Sequence, residues 1–398
     1  MTIYAYCNGF ESHNRGTWDT RAATAVTTDA AAARTGDYGL KVAPSAQSSQ
    51  FVQWQASPTG GQMAVGRGYF KFNSFPSGDN NFCTINDSAG EYYALRYESS
   101  DSSVVMDVVR SGGGGVSETL QGPVISTGTW YRFDWRCDYV STNRTIDWAI
   151  DGVDQPSATA NSSNAIGLFQ WQWGTSASTT FTLYADDCVV VWTGDGPDHD
   201  TVRDLYPLGP GYVTALYPDG VGTHVNDTSF TTSTGTIADS WQLINDNDNT
   251  TYVSQTTIGD TDYLEYTLEA TAAGDADKVI QVVTAMWIKG SSGVSSNNAG
   301  IHVVDGSNDN TLVDEPWITN SSPPLADFGT VTDGTEQFSP LSATPWTIAR
   351  LDALKVRWGY SSDVVSIPYL PQAWVEVSFS DVVPMTTYSY WGVVIVPA

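Results

Sequence analysis

The chain has 398 residues, with 17 Lys or Arg against 44 Asp or Glu, a formal net charge of −27. That balance repels phosphate backbones and anionic lipid, which argues against nucleic-acid and membrane-surface roles. A composition that is 41% hydrophobic and 12% aromatic, without a heptad or Gly-X-Y period, is neither disordered nor fibrous.

The first predicted element is a strand within Met1-Thr2-Ile3-Tyr4-Ala5-Tyr6-Cys7-Asn8. It lacks the basic n-region and long apolar run of a secretory leader, so folding is expected where the chain is made. No later window approaches the roughly 18 apolar residues of a membrane helix. Gly112 to Gly115 lacks the lysine and helix of a phosphate-binding loop and reads as a hairpin tip. Trp130 to Cys137, Thr145 to Ile150 and Phe169 to Trp173 alternate apolar and polar residues with period two, the pattern of half-buried antiparallel strands. Asp-Gly pairs at 151, 219, 305 and 333 punctuate the runs, placing much of the aspartate excess in turns. Cys7, Cys83, Cys137 and Cys188 show no metal or redox spacing and are expected to be buried thiols.

A boundary follows the apolar strand ending at Trp192, where Thr193-Gly194-Asp195-Gly196-Pro197 begins a connector. This divides the chain into a first domain over 1–193, a linker over 194–211 and a second domain over 212–398. In the second half, 277–289 and 373–383 read as strands, and 344–354 as a short helix or a single turn. Glu265 and Glu269 alternate with Leu264, Tyr266 and Leu268 and are expected on a solvated face. The fold class is all-β: two tandem antiparallel β-sandwich domains.

Several segments carry a resemblance. Asn8-Gly9-Phe10-Glu11, Thr35 to Val42, Gly128 to Arg132, Asp147 to Gly152 and Tyr184 to Val191 appear in an order that resembles concanavalin A-like (laminin-G-like) jelly rolls over roughly 1–192. Asp204 to Val213 and Leu216 to Gly220 resemble a segment that follows such a jelly roll in structural proteins of tailed viruses, of the minor tail or head-decoration type. The resemblance implies a virion component with other virion proteins as partners. It is expected to form a homo-oligomer, with a trimer as the symmetric guess, and to contact host-surface glycan through the first domain. The alternative is a carbohydrate-binding module pair, or an inactive glycoside-hydrolase relative, of a cellular protein. The acidic, lysine-poor surface also suits a high-salt setting.

A jelly roll of this type also hosts glycosidases that place E-x-D-x-E on one strand. None of the nine glutamates falls in that pattern. The histidines are isolated, and no nucleophile elbow, zinc helix or phosphate loop occurs, so a non-enzymatic protein is expected. Phe169, Trp171 and Trp173 are assigned to the core. The polar set Arg132, Asp134, Arg136, Asp147, Gln170 and Gln172 is the candidate glycan face. Glu11, Asp186 and Asp187 form a candidate calcium site, because first and last strands pair in the resembled fold and carboxylate oxygens suit Ca²⁺. No other cofactor is expected.

Overall fold

The computed structural model describes residues 3–394 apart from 12–18, 21–24, 46–49, 56–62, 88–91, 110–115, 140–142, 162–167, 176, 178, 194–198, 246–250, 257–261, 276–277, 292–298, 306–307, 311–335, 338–346, 361–367, 381–388 and 391–392. His13, the Gly112 to Gly115 tip and the start of the 344–354 segment lie outside the described residues, as does the Phe169 side chain. The chain divides into two compact units, Met1–Val213 with Ser380–Val382, and Thr214–Phe379 with Val383–Ala398.

In the first unit the strands are, in order, β1 (Ile3–Asn8), β2 (Asp19–Thr20), β3 (Val26–Asp29), β4 (Gly39–Val42), β5 (Gln50–Gln55), β6 (Met63–Ser74), β7 (Asn80–Asp87) and β8 (Tyr92–Glu98). They continue with β9 (Ser103–Val109), β10 (Val116–Val124), β11 (Tyr131–Asp138), β12 (Asn143–Ile150), β13 (Val153–Asp154), β14 (Ala158–Asn161), β15 (Leu168–Thr175) and β16 (Thr182–Thr193). A nine-stranded sheet runs β13-β12-β11-β6-β16-β4-β3, with β1 on β16 and β14 on β12. A seven-stranded sheet runs β10-β9-β8-β7-β15-β5-β2. The first strand lies antiparallel on the last, with Ile3 opposite Thr193 and Asn8 opposite Cys188.

The period-two pattern decides which side chains meet between these sheets. Phe133, Trp135 and Cys137 point inward from β11, and Trp171 and Trp173 from β15, all fully buried. Trp135 meets Trp171 edge to face at 5.6 Å, a favoured geometry for quadrupolar rings. The indoles need room, and β6 supplies it with glycine: a Cβ at Gly66 would overlap the Trp135 ring, and one at Gly68 would press on Trp171 and Trp173. Between β12 and β13 the Asp151-Gly152 pair takes φ values of 52° and 78°, the left-handed pair that a two-residue hairpin requires. All four cysteines are buried, and none forms a disulfide.

The second unit repeats the two-sheet plan. One sheet runs Phe230–Thr232, Val253–Gln255, Pro368–Ser380, Val279–Ser291, Glu336–Gln337, and the other Pro218–Val221, Tyr263–Leu268, Leu354–Tyr360, Ala299–Asp305, Asn308–Asn310. Phe230 of the first meets Trp358 of the second at 5.9 Å. The protein is therefore an all-β chain of two antiparallel sandwiches. A single helical turn, Ile348–Leu351, precedes one strand, with the Thr347 hydroxyl accepting from the Arg350 N–H. Glu265 departs from the expected solvated face. It is 1% exposed and accepts hydrogen bonds from Lys355 Nζ at 2.9 Å, Arg357 Nε at 2.7 Å and the Thr223 N–H at 2.9 Å. Burial disfavours its ionised form, but these three donors outweigh that and hold its pKa below the ordinary glutamate value. Glu269 is exposed as expected.

The expected linker is largely part of the first unit. Val202, Leu205 and Leu208 are buried, and the short helix His199–Arg203 packs on β6 and β16. Its glycines and prolines suit a close-fitting strap as well as a free connector, so composition alone does not separate the two.

The Gly66 environment yields a stability test. Gly66→Ala forces a methyl group into the Trp135 ring and is expected to destabilise by about 1–3 kcal/mol. Gly78→Ala, where no heavy atom lies within 4 Å, leaves stability unchanged. Denaturant melts of both variants check the difference.

Candidate functional site

The six polar residues of the candidate glycan face fall on two different sheets. Arg132, Asp134 and Arg136 alternate with the inward-facing Phe133, Trp135 and Cys137 on β11, and Asp147 is opposite Arg136 on β12. Gln170 and Gln172 belong to β15 of the opposing sheet. The structure therefore does not assemble one ligand face from all six.

The β11 side is occupied by the chain itself. Arg136 donates to Asp147 Oδ2 through Nε at 2.9 Å and Nη2 at 2.6 Å, and its guanidinium lies 5.2 Å from the Tyr206 ring centroid. Asp134 is wholly buried and accepts from Arg132 Nε at 2.6 Å. Burial pushes its pKa up, against the opposing pull of Arg132 and Arg67. Arg67, also fully buried, donates to the Gly209 carbonyl at 3.3 Å, and the Gly211 N–H donates to the Tyr69 hydroxyl at 3.1 Å. Burying unpaired charge is expensive, and these contacts bind the 199–213 strap to the charged outer face of the nine-stranded sheet.

The β15 side is different. Gln170 Nε2 donates to Gln53 Oε1, and at 3.4 Å to Gln172 Oε1, while Asn86 Nδ2 donates to Gln170 Oε1 at 3.4 Å. Beside this amide cluster lies a groove of about 370 Å³, whose lining includes Asn80, Thr84, Asn86, Tyr92, Arg96 and Gln172. That volume lies within the ordinary range of small-ligand sites. Three carboxylates surround Arg96: Asp79 at 3.1 Å, Glu98 at 2.7 Å and Asp107 at 2.7 Å. Asp79 also accepts from the Ser99 N–H and hydroxyl, which hold its pKa below the ordinary aspartate value.

Glu11, Asp186 and Asp187 do gather at the end of the paired first and last strands. Asp187 sits at a bulge between Asp186 and Val189 with φ of 52°, and is fully buried with Asp186. Its oxygens accept from Arg34 Nε at 2.6 Å, the Thr35 hydroxyl at 2.9 Å and the Val213 N–H at 2.6 Å. Asp186 accepts from the Arg34 N–H at 2.7 Å and the Asp187 N–H at 2.8 Å. Glu11 Oε2 accepts from the Asp37 and Tyr38 N–H groups at 2.7 and 3.2 Å, and Glu11 Oε1 is buried with no donor. Burial, with added repulsion from Asp187, raises the Glu11 pKa to about 7. Burial and Asp187 likewise raise Asp186 well above the ordinary range.

This arrangement fits a calcium ion only in part. Among the described residues no three acidic, histidine or cysteine side chains form a metal-ligand group, and Asp187 is engaged by Arg34. Glu11, with its unpartnered oxygen, and Asp186 are the two carboxylates that a cation would relieve of burial and repulsion. They are the residues that would hold structural Ca²⁺. The reciprocal set of N–H contacts made by these carboxylates, and the role of Arg34, had no signal in sequence spacing. The groove residues on β7 and β8 were also missed, because Asn and Thr in a strand look like ordinary polar alternation.

No family model matches the chain, and no curated protein matches it. Among solved structures, "Cellulose induced protein, Cip1" aligns at 17% identity with a TM-score of 0.36, covering 48% of this chain and 100% of that one. A Bacillus licheniformis beta-glucanase aligns at 13% identity with a TM-score of 0.34, covering 49% and 100%. A Crh5 transglycosylase in complex with NAG aligns at 12% identity with a TM-score of 0.36, covering 49% and 85%.

The carboxylate cluster makes a testable prediction. Burial raises the folded-state pKa of Glu11 to about 7, above the ordinary glutamate value, so between the two the folded state holds the extra proton and stability falls as pH rises. In chelator, the melting temperature is expected to decline across that window, and Glu11→Gln flattens the decline. Added Ca²⁺ raises the melting temperature of the wild type more than that of the variant. A wild-type melt indifferent to both Ca²⁺ and chelator would leave these carboxylates as N–H acceptors alone.

Proposed function

We propose that the protein is a non-enzymatic structural component of a tailed-virus particle, displayed on head or tail, whose first unit contacts host-surface glycan. The observation that carries the glycan reading is the polar groove on the seven-stranded sheet. Amides, a hydroxyl and Tyr92 line it together with Asp79 and Arg96, which pair with each other. Such a surface can hold a saccharide by hydrogen bonds. Placement in the virion is supported by the ordered sequence motifs of both halves that resemble tailed-virus structural proteins. In this reading the protein assembles with other virion proteins as a homo-oligomer, a trimer, through its second unit.

Immunogold labelling of purified particles tests the placement, with label expected at a fixed position on head or tail. Particles free of label would overturn it and favour a cellular carbohydrate-binding protein. Light scattering of the full chain checks the assembly: a mass of three chains is expected, and a monomer at all concentrations would remove the trimer.

A further inference from the structure

The groove offers more acceptors than the chain satisfies. Asn80 Oδ1, Thr84 Oγ1 and Asn86 Oδ1 are buried atoms without a hydrogen-bond partner, and all three side chains line the same groove. Asn80 and Thr84 are 5% and 8% exposed, so neither is a surface group turned freely to solvent. An acceptor left unsatisfied in a buried position costs about 1–3 kcal/mol. Three on one strand are costly to keep for packing alone. They are well used by a ligand that brings donors.

Charge then narrows the ligand. The cation lining the groove, Arg96, already donates to Asp79, Glu98 and Asp107. One guanidinium against three carboxylates leaves the surroundings net negative. Uronate, sulfate or phosphate groups would meet filled donors and like charge, an arrangement that acts against the wrong partner. Hydroxyl groups, by contrast, donate to amide and hydroxyl oxygens at no electrostatic penalty. Tyr92 adds an aromatic surface and Gln172 a further amide at the same groove.

We propose that this groove binds an uncharged, hydroxyl-rich saccharide and discriminates against acidic polysaccharide, with Asn80, Thr84 and Asn86 accepting hydrogen bonds from its hydroxyls. The inference rests on the reading of the first unit as a glycan-contacting domain and assigns the ligand's charge class and the residues that select it.

The test is calorimetric titration of the full chain with two oligosaccharide sets. The neutral set is laminarihexaose, cellohexaose, xylohexaose and mannohexaose; the acidic set is oligogalacturonate, oligoalginate and heparin fragments. Binding by a neutral member and by no acidic one is expected. Thr84→Val keeps the side-chain shape and removes the hydroxyl, and Asn86→Ala removes one amide. Each should weaken that binding by about three- to tenfold, the equivalent of one hydrogen bond, with an unchanged melting temperature confirming a folded variant. Binding of an acidic oligosaccharide in place of neutral ones overturns the charge assignment while the glycan-contact reading stands. Neutral binding that neither variant weakens overturns the assignment to this groove. No heat with either set removes the glycan-contact reading, and this inference with it.

Discussion

The packing of tryptophan against glycine between the two sheets of the first unit is the constraint from which the rest of that unit follows. Trp135, Trp171 and Trp173 are fully buried, and Gly66 and Gly68 leave the space their rings fill. Burying a large aromatic side chain is among the strongest single contributions to a core. Once the indoles face inward, the strand period of two sends the intervening residues outward, and the functional character of each outer face is set by what those residues are.

The two outer faces then diverge for electrostatic reasons. On the nine-stranded sheet they include buried charge: Arg67, Asp134 and Asp187 are completely buried, which is tolerable because the 199–213 strap offers partners through Gly209 and Val213 and Arg34 pairs with Asp187. On the seven-stranded sheet they are chiefly amides and hydroxyls, with one arginine holding the nearby carboxylates. Neutral polar groups can line a groove without a covering segment, as they do here. Trp171 and Trp173, assigned to the core from the sequence, are buried there.

Alternation and turn chemistry made the fold legible in the sequence. The strands over Tyr131–Asp138 and Asn143–Ile150 follow from their period of two, and the Asp151-Gly152 hairpin from its dipeptide. The inward direction of Trp171 and Trp173 was equally readable. What alternation cannot reveal is what covers an outward-facing charge. Arg132, Asp134, Arg136 and Asp147 read as exposed because their inward neighbours are apolar. Asp134 is buried and the other three are half-buried; Gly209 and Tyr206, which cover Asp134 and Arg136, lie about 70 residues further on in a segment rich in the glycine and proline that also mark linkers. Glu265 was misplaced for the same reason, its ion pairs lying on a strand 90 residues away in sequence. The groove on β7 and β8 depends on which acceptors lack donors, a property of three-dimensional neighbours rather than of spacing.

The state of the thiols has a practical consequence. All four cysteines are buried and outside any disulfide, and burial pushes the thiols of Cys83, Cys137 and Cys188 above the ordinary value, so little reactive thiolate is available at neutral pH. The native chain is thus chemically silent toward maleimides and alkylating dyes. A single cysteine introduced on the exposed rim, at Ser99 for instance, would be the one fast-reacting site, giving a fluorophore or spin label beside the groove without first removing any native cysteine.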